Sequence, residues 1–305
     1  MVWGNVVRGC EDDAAVHISG NNALVRGNTV AQTGDDLIEV LGDRARIIKN
    51  KGRSAEYDCI DVSGDLVRVQ GNRMSGCHGS GAYVDGNHPK VINNRFGGNS
   101  DHGIMAHCSI ACGKTVIKGN AIRDQYDDAR GMYVLITGTG RALVRDNLVV
   151  GSPGSGMELA VYRGRIIGNV VRDVGYERED AFIIYGDGNL VRGNRALGNG
   201  GVGILVEGGS NRLEGNVARG NHRTGIYINP YAGNKLIANV ATKNKTNGIY
   251  NAGSDTVLRR NRALGNRRDC ANDGTIAAKA KNRCADKSNF TQTGVFPRAR
   301  AKKRR

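Results

Sequence analysis

Leu24-Val25-Arg26-Gly27-Asn28 returns, barely altered, as Val116-Ile117-Lys118-Gly119-Asn120 and again as Leu190-Val191-Arg192-Gly193-Asn194. Each copy is a short aliphatic-basic word closed by an asparagine. Working outward from these copies gives twelve asparagines in one series, 22 to 27 residues apart: Asn5, Asn28, Asn50, Asn72, Asn94, Asn120, Asn147, Asn169, Asn194, Asn216, Asn239 and Asn261. A period of this size marks a solenoid, in which one repeat is one turn and neighbouring turns complete a shared core.

With the asparagine as position zero, positions ten and twelve are apolar in nearly every turn, as in Ile38/Val40, Ile60/Val62, Ile104/Ala106, Met132/Val134, Phe182/Ile184 and Ile226/Ile228. Alternation with period two predicts a strand with these side chains inward and the intervening ones outward. The connecting segments are Gly, Asn, Asp and Ser, with no amphipathic pattern of helical length, which excludes leucine-rich and helical repeats. The sequence therefore predicts an all-β fold, a single-stranded right-handed parallel β-helix solenoid of about 12 coils. Asn is expected at the sharp corner because its short amide tolerates the left-handed conformation. Stacked amides are expected to hydrogen-bond along the axis. The 45 glycines and only four phenylalanines fit a thin core of aliphatic stacks.

The unbroken repeat makes residues 1–269 one elongated domain, followed by a closing segment at 270–290 and a basic tail at 291–305 expected to be disordered. No apolar run is long enough to span a membrane, and no secretory signal opens the chain. Met1-Val2-Trp3-Gly4-Asn5 already reads as a strand end, so the start is expected to be truncated, or capped by a partner or a missing segment. Spacing allows Cys270–Cys284 and Cys108–Cys112 bridges, which favour an oxidising compartment and hence a secreted, periplasmic or cell-surface protein. Cys10 and Cys77 share a repeat position three turns apart, roughly 14 Å at about 4.8 Å per turn, too far to bond. Cys59 is expected to pack as a small apolar residue. Lys and Arg exceed Asp and Glu by 44 to 29, a net charge of +15 that attracts polyanions such as acidic polysaccharide. A specific nucleic-acid partner is not expected, because no recognised module or aromatic stacking surface is present.

Outward strand positions carry the functional signal, since the scaffold does not dictate them. Position eleven reads His17, Glu39, Asp61, Tyr83, Met105, Tyr133, Glu158, Ile183, Leu205, Tyr227 and Tyr250; position eight includes Asp36, Asp58, Ser80, His102, Asp128, Ser155 and Asp180; position thirteen adds Asp85, His107, Tyr185 and Glu207. With turns about 4.8 Å apart, Asp36, Glu39, Asp58 and Asp61 form one acidic patch, expected either to raise a carboxyl pKa or to bind Ca²⁺. Nearby Arg and Lys could instead neutralise it. His102 and His107 flank the strand of turn five, with Asp85 beside them and Tyr133 in the next turn. Imidazole and phenol groups about a sugar ring suit proton abstraction at C5 of a uronate, with Arg130 or Arg163 neutralising its carboxylate. Extra residues at 108–114, 125–130, 137–140 and 176–180 predict the rims of a groove.

The chain resembles the right-handed parallel β-helix proteins of the pectin-lyase-like superfamily, particularly the carbohydrate-binding and sugar-hydrolase repeats shared with mannuronan C5-epimerases and alginate lyases. Gly215-Asn216-Val217-Ala218-Arg219-Gly220-Asn221 and Thr224-Gly225-Ile226-Tyr227-Ile228 carry the likeness. Asp101-His102-Gly103 looks like the Arg-His-Gly turn of the epimerases with Asp in place of Arg. Their Asp-Pro-His-Glu word is absent; the nearest acidic strand is Tyr57-Asp58-Cys59-Ile60-Asp61. The resemblance implies action on an acidic polysaccharide by β-elimination or epimerisation and carries over His102, expected as base; the register of the outward columns makes Tyr133 or Tyr83 the expected acid, with Asp85 and Arg130 beside them. His107, Glu158, Arg163 and Asp128 are then expected to bind the sugar. A glycoside hydrolase using Asp58, Asp61 and Asp85, and a non-catalytic polysaccharide-binding solenoid, are the competing expectations.

Overall fold

The computed structural model describes residues 1–108, 112–137, 140–175 and 178–285. The basic tail expected at 291–305, the end of the closing segment and parts of three expected loops lie outside these residues. Every coil contributes one short strand to each of three parallel sheets, two of 13 strands and one of 12, so the solenoid runs about one turn longer than the sequence repeat suggests. Sheet 1 begins Val2–Trp3, Leu24–Arg26, Arg46–Ile48; sheet 2 begins Val6–Cys10, Thr29–Thr33, Lys51–Ala55; sheet 3 begins His17–Ser19, Ile38–Leu41, Ile60–Ser63. Registers are unbroken between coils from the first strand to Thr256, where sheet 1 shifts once.

The core is a set of axial stacks. In sheet 1, Val25, Ile47, Val69, Val91, Ile117, Val144 and Ile166 lie directly above one another and are fully buried. Each isolated coil exposes its aliphatic centre above and below, so only stacking removes that area from water, at about 25 cal/mol per Å².

The asparagine series stands at the corner between sheets 1 and 2, and its amides do form a ladder. Asn50 Nδ2 donates to Asn72 Oδ1 at 3.0 Å and to the Val25 carbonyl at 3.0 Å, while its own Oδ1 accepts the Asn28 backbone N–H at 2.9 Å. The left-handed residue, however, is the one before each asparagine: Gly27 (φ 66°), Lys49 (φ 56°), Gly71 (φ 66°) and Asn93 (φ 55°). That residue turns the backbone and frees the asparagine to point inward, where a buried amide with two donors and an acceptor satisfies both neighbours. A second ladder, Asn199, Asn221, Asn244 and Asn266, lines the corner between sheets 2 and 3 in the later coils.

Cys108–Cys112 and Cys270–Cys284 are bridged, as spacing allowed. Cys59 is not a packing residue: it bonds Cys77. The two occupy different repeat positions, one after and one before the corner between sheets 2 and 3, so comparing equal positions could not find the pair. Cys10 is the free cysteine.

Candidate functional site

The site lies where coils cross the corner into sheet 3. Four successive crossings there, at Gly81, Gly103, Gly131 and Gly156, use a glycine for which a side chain would have no room. A Cβ on Gly103 would sit 2.3 Å from Ile122 Cγ2 and 2.5 Å from the Gly131 carbonyl. Neighbouring coils therefore close up, and the residue just ahead of each glycine is held at the corner: His102 before Gly103, Arg130 before Gly131, Ser155 before Gly156. Arg130, not Asp128, stacks on His102, since Gly103 N–H donates to the Arg130 carbonyl. The insertion at 125–130 absorbs two residues, which moves Asp128 off the corner and onto the rim of a cleft.

That cleft, of about 570 Å³, is lined by Ser100, Asp101, His102, Asp127, Asp128, Ala129, Arg130, Gly154, Ser155 and Glu179. His102 is 8% exposed. Its Nδ1 is 3.2 Å from Asp101 Oδ1 but out of line for a hydrogen bond, so this buried nitrogen has no partner. Tyr133 meets His102 edge-on at 5.8 Å between ring centroids. The Arg130 guanidinium lies 5.2 Å from the centre of the Tyr133 ring, and its Nε is 2.6 Å from Glu158 Oε2. On the far wall Ser155 donates to Glu179 at 2.8 Å. Four of the expected residues thus converge, His102, Tyr133, Arg130 and Glu158, with Asp128 at the rim. Asp101, Ser155 and Glu179 complete the lining; of these, Glu179 was legible only as part of a long interval.

The outward column of sheet 3 is as predicted, with Asp61 beside Tyr83, Tyr83 beside Met105, and Met105 beside Tyr133. Met105 therefore separates Tyr83 from the cleft by one coil. Asp85 and His107 pair at 3.1 Å in the next row along. Burial, then Asp85, Asp61 and Asp58, push the Tyr83 phenol up. Burial followed by Glu158 and Glu207 does the same for Tyr185. Arg163 is elsewhere: it follows the third sheet and lines a cleft of sheet 1 with Lys114, Arg141 and Arg165. One corner separates it from Glu158, enough to turn it to another face.

The acidic patch is real but largely committed to the backbone. Asp36 Oδ1 accepts the Asp58 N–H at 2.7 Å, and Asp58 in turn accepts the Ser80 N–H. Asp36 is 6% exposed rather than displayed on the outer face. Burial outweighs its hydrogen bond and, with Asp58 and Asp61 nearby, pushes its carboxyl up to about 7. Burial likewise takes Asp58 to about 6, and takes Asp61, with Asp58 and Glu39 beside it, to about 6. Asp61 Oδ1 is buried without a partner, whereas Glu39 is tied to His17 Nδ1 at 2.6 Å. Among the described residues no group of three or more His, Cys, Asp or Glu has the arrangement of a metal centre.

Two family models match the chain, the right handed beta helix region over residues 14–171 and the periplasmic copper-binding protein (NosD) over residues 112–283. The chain belongs to these right-handed β-helix families. No curated protein sequence matches it. Among solved structures it is similar to the periplasmic alginate epimerase AlgG, with 16% identity, TM-score 0.57, and 83% of this chain against 75% of that one covered. The A-module of the Azotobacter vinelandii mannuronan C-5 epimerase AlgE6 gives 13% identity and TM-score 0.55, covering 92% and 90%. A PL6 alginate lyase bound to a trisaccharide gives 12% identity and TM-score 0.53, covering 92% and 81%. At such identities the likeness is one of right-handed β-helix fold.

The copper-binding description of the second family does not fit the residues here. Within 112–283 the soft ligand types are His222, Cys112, Cys270, Met132 and Met157. Both cysteines are in disulfides and both methionines are fully buried in the core. Copper needs several such side chains around one point.

Proposed function

We propose that this right-handed β-helix protein is a carbohydrate-active enzyme of an extracytoplasmic compartment, acting on a uronate-containing polysaccharide by β-elimination or C5 epimerisation. The observation that carries the reading is the cluster of His102 and Arg130, which line one cleft, with Tyr133 in contact with both. Its solved neighbours include an alginate epimerase and an alginate lyase, and three disulfides accord with an oxidising compartment.

The C5 proton of a uronate becomes acidic only when its carboxylate charge is neutralised. Glu158 takes the Arg130 Nε and orients the guanidinium, leaving its two terminal nitrogens as a fork for a substrate carboxylate. His102 then removes the proton from C5. In elimination the C5–H electron pair forms the C4–C5 double bond as the C4–O bond breaks, and Tyr133 protonates the leaving oxygen. In epimerisation Tyr133 returns a proton to C5 from the opposite face. The two rings meet edge-on, 5.8 Å between centroids, so a sugar ring taken between base and acid would have to part them. None of these steps calls on Ca²⁺; Asp36 and Asp58 each commit one carboxylate oxygen to a backbone N–H.

Incubation with alginate and polygalacturonate, followed by ultraviolet absorbance for unsaturated ends and NMR for inverted C5, tests this directly. Turnover by the wild type but not by His102→Gln supports it; no change in any uronate polymer sinks it. A hydrolase reading rests on Asp61, whose raised pKa and unpartnered oxygen suit a general acid beside Glu39 in the adjacent coil. It predicts new reducing ends without unsaturation.

A further inference from the structure

Charge is sorted by face along this solenoid. Before Arg268 the strands of sheet 3 contain no Lys or Arg, whereas over the same span those of sheet 2 carry ten and, among the described residues, no Asp or Glu. Five of the sheet 2 cations, Lys51, Arg53, Arg73, Arg95 and Arg123, fall in four successive coils. Lys51, Arg73 and Arg95 are stacked in three successive coils at one outward position. The neighbouring position reads Arg53, Ser75, Gly97 and Arg123 in successive coils, so small residues lie between flanking guanidiniums. The result is a trough of two adjoining clefts, about 310 and 510 Å³, that share Arg73 and Ser75 and extend from Arg8 to Arg123. All of these cations are exposed. None has an ion-pair partner among the described residues. The two basic clefts of sheet 1 are less suited: the exposed Leu66 lines one, where Arg68 is held by Gln70 at 2.5 Å, and the other, beside Lys114, Arg141 and Arg165, is lined mostly by apolar surface.

We propose that this sheet 2 trough is a second, non-catalytic site that binds a linear polyuronate along the solenoid axis. The parallel stack presents a cation every coil, about 4.8 Å, close to the length of one pyranose unit. Duplex DNA carries a charge about every 1.7 Å, out of step with that ladder. An anionic lipid surface is flat and would not reach the trough floor at Ser75 and Gly97. Only the ligand class rests on the function proposed above. One corner separates the trough from the His102 cleft, so it would hold a polymer on the enzyme between catalytic events rather than position the reacting sugar.

The test is calorimetric binding of a defined-length mannuronate oligosaccharide, in a His102→Ala background to prevent turnover. Replacing Lys51, Arg73 and Arg95 together by Gln is expected to weaken binding on the order of tenfold or more and to flatten its salt dependence. The control triple Arg46→Gln/Arg68→Gln/Lys90→Gln removes equal charge from sheet 1 and is expected to change affinity less than about twofold. Arg73→Lys/Arg95→Lys, which keeps charge, should retain binding and exclude a folding defect. Equal losses from both triples, no loss from the first, or equal affinity for duplex DNA or phosphatidylglycerol vesicles would each overturn the proposal. Turnover of short oligosaccharides by the wild type is read separately. Its absence together with trough-dependent binding would remove the catalytic reading and leave this one standing.

Discussion

Replacing Asp36 by Asn should make this protein more stable at alkaline pH, which is unusual for a buried, hydrogen-bonded side chain. Asp36 is 6% exposed, and burial with its acidic neighbours raises its carboxyl from 3.8 to about 7. A carboxyl raised on folding binds its proton more tightly in the native state. Its contribution is therefore fully present below about pH 4 and is lost as the pH climbs through about 7. At 1.4 kcal/mol per tenfold change in proton affinity, the full cost of ionising it inside the fold approaches about 4 kcal/mol. Asn keeps the oxygen that accepts the Asp58 N–H at 2.7 Å and removes the charge. Asp58 and Asp61 share the mutual repulsion, so we expect Asp36→Asn to gain about 2–4 kcal/mol at pH 8 and no more than about 1 kcal/mol at pH 4.5. Urea unfolding followed by far-ultraviolet circular dichroism at the two pH values measures this. A loss of stability at pH 8, or a gain that does not vary with pH, would refute the reasoning. A Ca²⁺-bound patch makes the opposite prediction, in which the variant is weaker and the wild type gains stability with added Ca²⁺.

Asn50→Ala deletes an amide that makes ladder contacts to Asn28, Asn72 and the Val25 carbonyl, all buried. Stability should fall by about 3–5 kcal/mol in denaturant unfolding, and a loss below about 1 kcal/mol would mean the ladder is dispensable. Cys59→Ser/Cys77→Ser opens an 18-residue loop and should cost about 3 kcal/mol in the same assay. Arg130→Gln, which leaves Glu158 unpaired and the substrate carboxylate un-neutralised, should lower kcat/KM on uronate polymers by about 10²-fold or more with Tm little changed. Activity unaffected by that change would remove Arg130 from the chemistry.

The fold was legible because a solenoid repeats its constraints in every turn. The interval between Asn28 and Asn50 and the pair Ile38/Val40 state the coil length and the inward face, and each is restated in the turns that follow. Outward columns could be written down for the same reason: once Asp61, Tyr83 and Tyr133 share a position, parallel pairing stacks them. The reading failed where the repeat was interrupted or where contacts cross repeat positions. Asp128 was assigned Arg130's place because an insertion absorbs an unknown number of residues before the register resumes. The Cys59–Cys77 bond joins unequal positions across a corner. Arg163 was offered as a partner of the His102 site, but it lies among the four residues, Val161 to Gly164, that carry the chain from sheet 3 to sheet 1.

Periodicity by itself determined that this is a parallel β-solenoid, which residues are inward and which polar groups share a column, since alternation and coil length are local properties of the chain. Only the tertiary structure decided that Asp36 and Asp58 turn inward to hold backbone N–H groups, that His102 and Arg130 line one cleft with Tyr133 and Glu158 against them, and that the sheet 2 cations of successive coils frame a trough. Those outcomes depend on where each corner turns and how far neighbouring coils close, and corners are fixed by contacts between coils.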